Sequence, residues 1–204
     1  GDVYKRQRIY FPNISVQFGN SIDTKQKDKD LKEIHNLIRV LSKITNHSIK
    51  ISQQNTNMYI VVANQKEIKD LIGEIGMQRP EFDPKRIPVI TQLPKDIHCM
   101  AMTSMSSEPS SAISSALVII RSELPTIMRT ACIHEEIAQS LGLTNDSHFA
   151  RPSIFNDDDE FATLTEFDVI LLKILYDKRL SSGISRQEAF QYVRQIANDI
   201  VKPL

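Results

Sequence analysis

Between residues 31 and 44 the apolar side chains fall at Leu31, Ile34, Leu37, Ile38, Leu41 and Ile44, in steps of three and four. That spacing places them on one stripe of an α-helix, and a helix with one apolar stripe must cover another apolar surface. The segment just upstream supplies a candidate. In ISVQFG (14–19), Ile14, Val16 and Phe18 alternate with Ser15 and Gln17, which is the pattern of a half-buried strand closed by Gly19. SIKIS (48–52) and MYIVVA (58–63) read as two more strands around the polar turn QQNTN, and a short helix is expected over 65–75, ending near Gly76. The helix therefore packs on a sheet.

The second half continues the theme. Pro80, Pro84, Pro88 and Pro94 make 77–96 an irregular connection. HCMAMTS (98–104) and SSALVIIRSE (114–123) read as strands, separated by the polar loop SMSSEPSS (104–111). Three helices follow. The first runs from about Pro125 to Leu141, with proline in its first turn and Gly142 as a left-handed stop. The second starts at Thr165, with Asp168 as its capping-box partner, and runs to about Tyr176. The third starts at Ser185 with Glu188 as partner and Ile184 as a hydrophobic staple; Phe190, Val193, Ile196, Ala197 and Ile200 form its buried face. Strand, helix, several strands and then helices specify an α+β domain with a mixed, twisted sheet.

The 204 residues suffice for one such domain. The first seven, GDVYKRQ, resemble translated read-through of a sequencing adaptor and are set aside, leaving a single domain over 8–204 whose motif half is 125–204. Lys and Arg (25) balance Asp and Glu (25), so no excess of cations exists to neutralise nucleic-acid phosphates. No apolar run reaches the roughly 18 residues of a membrane span. The two cysteines, Cys99 and Cys132, are either two buried thiols or one disulfide joining a strand to the first of the three helices, which would require an oxidising compartment.

Chemistry concentrates in CIHEEIAQSLGLTNDS (132–147). Read from His134, the zinc-protease pattern H-E-x-x-H fails, because Ala138 stands where the second histidine belongs. Read one residue later, EEIAQSLGLTN (135–145) resembles the metzincin pattern H-E-x-x-H-x-x-G-x-x-H. Glu136 then takes the place of the general base and Gly142 that of the turning glycine, while Glu135, Gln139 and Asn145 occupy the histidine positions. Glu135 and Gln139, four apart, share one helical face. Downstream, PSIFNDD (152–158) resembles the metzincin Met-turn with Phe155 in place of methionine, and LTEFDVILLKILYD (164–177) resembles a matrixin closing helix, beyond which an extra C-terminal helix is expected. The block CIHEEIAQSLGLTNDS, SIFNDDDEF and LLKILYDKRL also resembles bacterial domain-of-unknown-function family 2927, over most of 14–200. The first resemblance implies a zincin-like fold with a degenerate metal motif; the second implies a bacterial, envelope-associated setting, periplasmic or close to it, and brings no chemistry.

A zinc hydrolase needs imidazoles or comparable donors and one open position for water. A carboxylate and two amide oxygens suit harder cations, if any. No cofactor is therefore expected, a divalent metal being the alternative, with Glu135 and Asp146 as weak candidate ligands beside the acidic run Asp157, Asp158, Asp159 and Glu160. The expected arrangement is a hydrogen-bonded network of Glu135, Glu136, Gln139 and Asn145 where a metal would sit, with Phe155 packing beneath it. His134 and His148 read as structural. Ser111, Ser114 and Ser115 have no base nearby in sequence and are not proposed as nucleophiles. The functional expectation is a non-catalytic module that binds an extended peptide or an envelope protein, or serves a structural role. The alternative is a metallopeptidase with Glu136 as general base and non-standard oxygen ligands.

Overall fold

A computed structural model describes residues 7–9, 12–78, 88, 92–106, 112–156 and 160–201. Pro80 and Pro84, Ser111, most of the polar loop over 104–111, and Asp157, Asp158 and Asp159 lie outside the described residues. So do residues 1–6 of the stretch set aside above, whereas Gln7 opens strand β1.

Among the described residues six strands, in three pairs, and five helices follow one another along the chain, the last three elements being helices. They are β1 (Gln7–Ile9), β2 (Asn13–Phe18), α1 (Thr24–Thr45), β3 (Lys50–Ile51), β4 (Met58–Ala63), α2 (Gln65–Gln78), β5 (Cys99–Met105), β6 (Ala112–Arg121), α3 (Thr126–Ser140), α4 (Glu166–Leu175) and α5 (Arg186–Val201). The sheet runs β1-β6-β4-β2-β3, every neighbouring pair parallel; β5 pairs antiparallel with the other side of β6. The fold is mixed α+β.

Helices cover both faces of the sheet. Ile14, Ile60, Val62, Val118 and Ile120 meet Ile34, Leu37 and Leu41 of α1, Ile133 and Ile137 of α3 and Leu172 of α4. On the opposite face Tyr59, Val61, Leu117 and Ile119 meet Ile68, Ile72 and Ile75 of α2. This explains why β4 reads as an unbroken apolar run: a parallel strand covered on both sides has no polar face. The alternation in β2 separates the same two layers.

Helix boundaries follow local chemistry. Asp23 caps α1 by accepting from the Gln26 amide at 2.9 Å, so the helix begins a full turn and more before its apolar stripe. Thr165 and Asp168 form the capping box of α4, and Ser185 and Glu188 hydrogen-bond reciprocally at the start of α5. Gly142 ends α3 with φ 131°, a conformation open to glycine, and its N–H donates to Gln139 O at 2.9 Å. Three expectations change: Phe190, expected on the buried face of α5, is exposed, and Ala189 packs there with Ile196 and Leu180 instead. SIKIS keeps only Lys50–Ile51 as strand, pairing with Asn13 and Ile14, and α2 extends to Gln78, through Gly76.

Candidate functional site

Strand β5 and helix α3 build the site together. Arg121 N–H donates to His98 O at 3.2 Å, and Cys99 lies opposite Ile120. Antiparallel pairs alternate between bonded and non-bonded, so Cys99, Ala101 and Thr103 turn their backbone groups away from β6. No further strand among the described residues lies on that side. Helix α3 packs on the sheet face beside this edge. There Cys132 forms a disulfide with Cys99, across a Cα–Cα distance of 5.8 Å. One turn later the Glu136 carboxyl comes near enough to the Ala101 N–H for that group to lower its pKa. The match is geometric: four residues of helix rise about 6 Å and two residues of strand about 6.8 Å, so α3 keeps step with β5.

Glu136 is buried, and its carboxyl pKa is pushed up to about 9. Burial is the main cause, followed by the negative charges of Glu135 and Asp146; the Ala101 N–H opposes them. Near neutral pH Glu136 is therefore protonated and can donate a hydrogen bond.

Gln139 gathers the other polar groups. Its Nε2 donates to Asp146 Oδ1 at 2.6 Å and reaches Glu135 Oε1 at 3.5 Å. Glu135 and Gln139 thus share one face of α3, as their spacing predicts. Asn145, expected to return to this cluster, is exposed; Asp146, exposed as well, is the residue that reaches Gln139.

The histidines have other duties. His134 is buried, with Nε2 2.9 Å from Glu33 Oε1 of α1, and its Nδ1 accepts from the Leu164 N–H at 3.2 Å. With Nδ1 accepting, Nε2 carries the proton and donates to Glu33. The ring ties α1, α3 and the start of α4. His148 sits in an exposed loop against the ring of Phe149. Ser114 Oγ donates to Ser104 O, and Ser115 is buried.

Phe155 is buried against Ala138 and Ile154, with Leu164 and Leu171 beside it. Asp168 organises the turn around it and was legible in the sequence only as a cap. Its carboxylate accepts from the Ile154 N–H at 3.2 Å, from the Thr165 N–H at 2.8 Å and from the Ser153 hydroxyl. Arg129 was not anticipated either: it donates to both oxygens of buried Asp30 and to Leu124 O. Nothing within a short window signals the Arg129–Asp30 pair, since its members are 99 residues apart.

Among the described residues no group of three or more His, Cys, Asp or Glu is placed to hold a metal ion. The donor chemistry agrees. His134 is held by Glu33 and the Leu164 N–H, and Gln139 directs its NH₂ group, which cannot ligate, at both carboxylates. These residues do not fit a zinc centre. No helix is long and apolar enough to cross a membrane, among the described residues.

A helix-covered α+β domain with a polar cluster beside an open strand edge defines the class. The chain belongs to the DUF2927 family, described as proteins of unknown function, whose model matches residues 6–195. No curated protein matches it.

Proposed function

We propose that this chain is a non-catalytic module of the bacterial envelope that binds an extended peptide or protein segment along β5, on a metzincin-like scaffold whose zinc-binding histidines have been replaced. The observation that carries the reading is the edge of β5, where no further strand pairs among the described residues and Cys99, Ala101 and Thr103 turn their backbone groups away from β6. Backbone groups at an open strand edge are a template for a further strand. The antiparallel edge strand beside the motif helix, the turn beneath the cluster and the closing helix α4 support the metzincin-like frame. The Cys99–Cys132 disulfide supports an oxidising compartment such as the periplasm.

The alternative, a metallopeptidase using Glu136, requires an ionised base. With its pKa near 9 the carboxyl needs a bound cation to become one. Protein purified without chelator and incubated with blocked extended peptides separates the readings. Binding is expected to slow amide exchange at Cys99 and Thr103, to leave the peptides intact by mass spectrometry and to persist in Glu136→Gln. Cleavage that disappears in Glu136→Gln, or stoichiometric metal that is lost in Glu135→Ala, would overturn the proposal.

A further inference from the structure

Helix α1 turns one kind of charge to solvent. Lys25, Lys29, Lys32, Arg39 and Lys43 are all exposed. At about 100° per residue they fall within about 80° of the helix circumference, opposite the stripe of Ile34, Leu37, Ile38 and Leu41 that meets the core. The row they form is about 27 Å long. Asn36, whose side-chain oxygen accepts from Arg39 Nη2 at 2.6 Å, is its neutral member. No ion pair joins any of the five cations to a carboxylate among the described residues. The helix also carries Asp28, Asp30 and Glu33, but two of these are taken up by α3: Asp30 is buried against Arg129, and Glu33 meets His134. Asp28 is the acid left beside the row. The whole chain is neutral, with 25 cations and 25 acids, so the row is a local separation of charge and not a product of composition.

The shape of the row selects among anions. It runs along the outer side of one helix, so a plane of negative charge meets all five cations together, whereas a compact anion spans only a part of it. A nucleic-acid groove has walls on both flanks of a bound helix, and one flank of α1 is already occupied by α3 through Asp30 and Glu33. The oxidising compartment that the Cys99–Cys132 disulfide supports also adjoins membrane and lies apart from the nucleic acid of the cell. Val40, 46 % exposed, is the large apolar side chain that α1 presents to solvent among the described residues, so such a contact rests on charge and not on insertion into the acyl layer. Clusters of roughly four to eight Lys or Arg on a helix face adsorb on anionic lipid in this way, each charge strengthening the contact about five-fold.

We infer that the outer face of α1 docks the domain on a membrane surface rich in anionic phospholipid headgroups, through Lys25, Lys29, Lys32, Arg39 and Lys43. The inference stands apart from the edge-strand reading of β5. Sedimentation of the intact chain with sucrose-loaded vesicles tests it. Vesicles of phosphatidylcholine with about one-third phosphatidylglycerol are expected to carry the protein down, and vesicles of phosphatidylcholine alone to leave it in solution. Binding is expected to fall steeply between about 0.05 and 0.2 M salt, as screening shortens the reach of the charges. Lys25→Gln with Lys29→Gln is expected to lower the partition coefficient about 25-fold, five-fold for each charge. Lys66→Gln with Lys69→Gln removes the same charge from exposed positions of α2, on the opposite face of the sheet, and is expected to leave the coefficient nearly unchanged. Equal losses in the two double variants would mean that net charge and not the α1 row drives adsorption, and would overturn the assignment. So would binding to neutral vesicles, binding indifferent to salt, or no binding to either kind of vesicle. Tighter association with a DNA duplex than with the anionic vesicles at the same salt would make the partner nucleic acid, and overturns it as well.

Discussion

Glu136 is the residue whose chemistry departs furthest from its model compound, and the departure has a sign. Its folded pKa lies near 9, above the ordinary 4.5. The folded state therefore holds a proton that the unfolded chain releases above pH 4.5. Stability from this group is complete below that pH and is lost as pH rises towards 9, at about 1.4 kcal/mol per unit for a fully buried carboxyl. Glu67 and Asp177 shift the other way, held low chiefly by hydrogen bonds from Ser21 and Arg179, so their contributions fade only in acid. Glu136→Gln keeps an oxygen for the Ala101 N–H and an NH₂ donor, with nothing to ionise. The variant is expected to match the wild type near pH 5 and to exceed it at pH 8 by on the order of 3 kcal/mol. Urea midpoints measured from pH 5 to 9 check this. Parallel profiles would show that the carboxyl ionises freely in the folded protein.

At the scale of elements, the pairing of α3 with β5 makes the site, and the disulfide fixes that pairing. It closes a loop of 33 residues, for which chain entropy gives a stabilisation of about 3–4 kcal/mol. The double variant Cys99→Ser, Cys132→Ser is expected to lose that much in denaturant titration, with amide exchange accelerated most along β5. Uniform acceleration across the sheet would mean that the disulfide stabilises the whole molecule and does not fix the edge. The elements themselves were largely legible in the sequence, because caps and periodicities are local: Thr165 with Asp168, Ser185 with Glu188, and the stripe from Leu31 to Ile44. What escaped was non-local or polar. The first turns of α1 carry no apolar signal, and only Asp23 marks their start. Spacing alone does not decide between Asn145 and Asp146.

At the scale of the whole molecule, β6 joins the edge strand that carries the site to the parallel core, and the α1–α3 contact holds the helical layer against it. That contact contains a polar seam. Asp30 and Glu33, three residues apart on α1, receive Arg129 and His134 of α3. Arg129 and Asp30 are both buried, with Nε 2.9 Å from Oδ2. Burying two charges costs most of what their attraction returns, so the pair contributes little net stability. Breaking it is another matter: Asp30→Leu leaves a guanidinium buried with only the Leu124 carbonyl as partner, at an expected cost of about 3–5 kcal/mol. Replacing both residues, Asp30→Leu with Arg129→Met, removes the stranded charge and is expected to recover most of the loss. A double-mutant cycle in urea measures the difference. If the double variant is as unstable as the sum of the single ones, the seam is not a coupled pair. If it is as stable as the wild type yet binds peptide more weakly at β5, the charges serve to place α3 against the edge strand, and the energy of the fold lies elsewhere, in the two apolar layers that enclose the sheet.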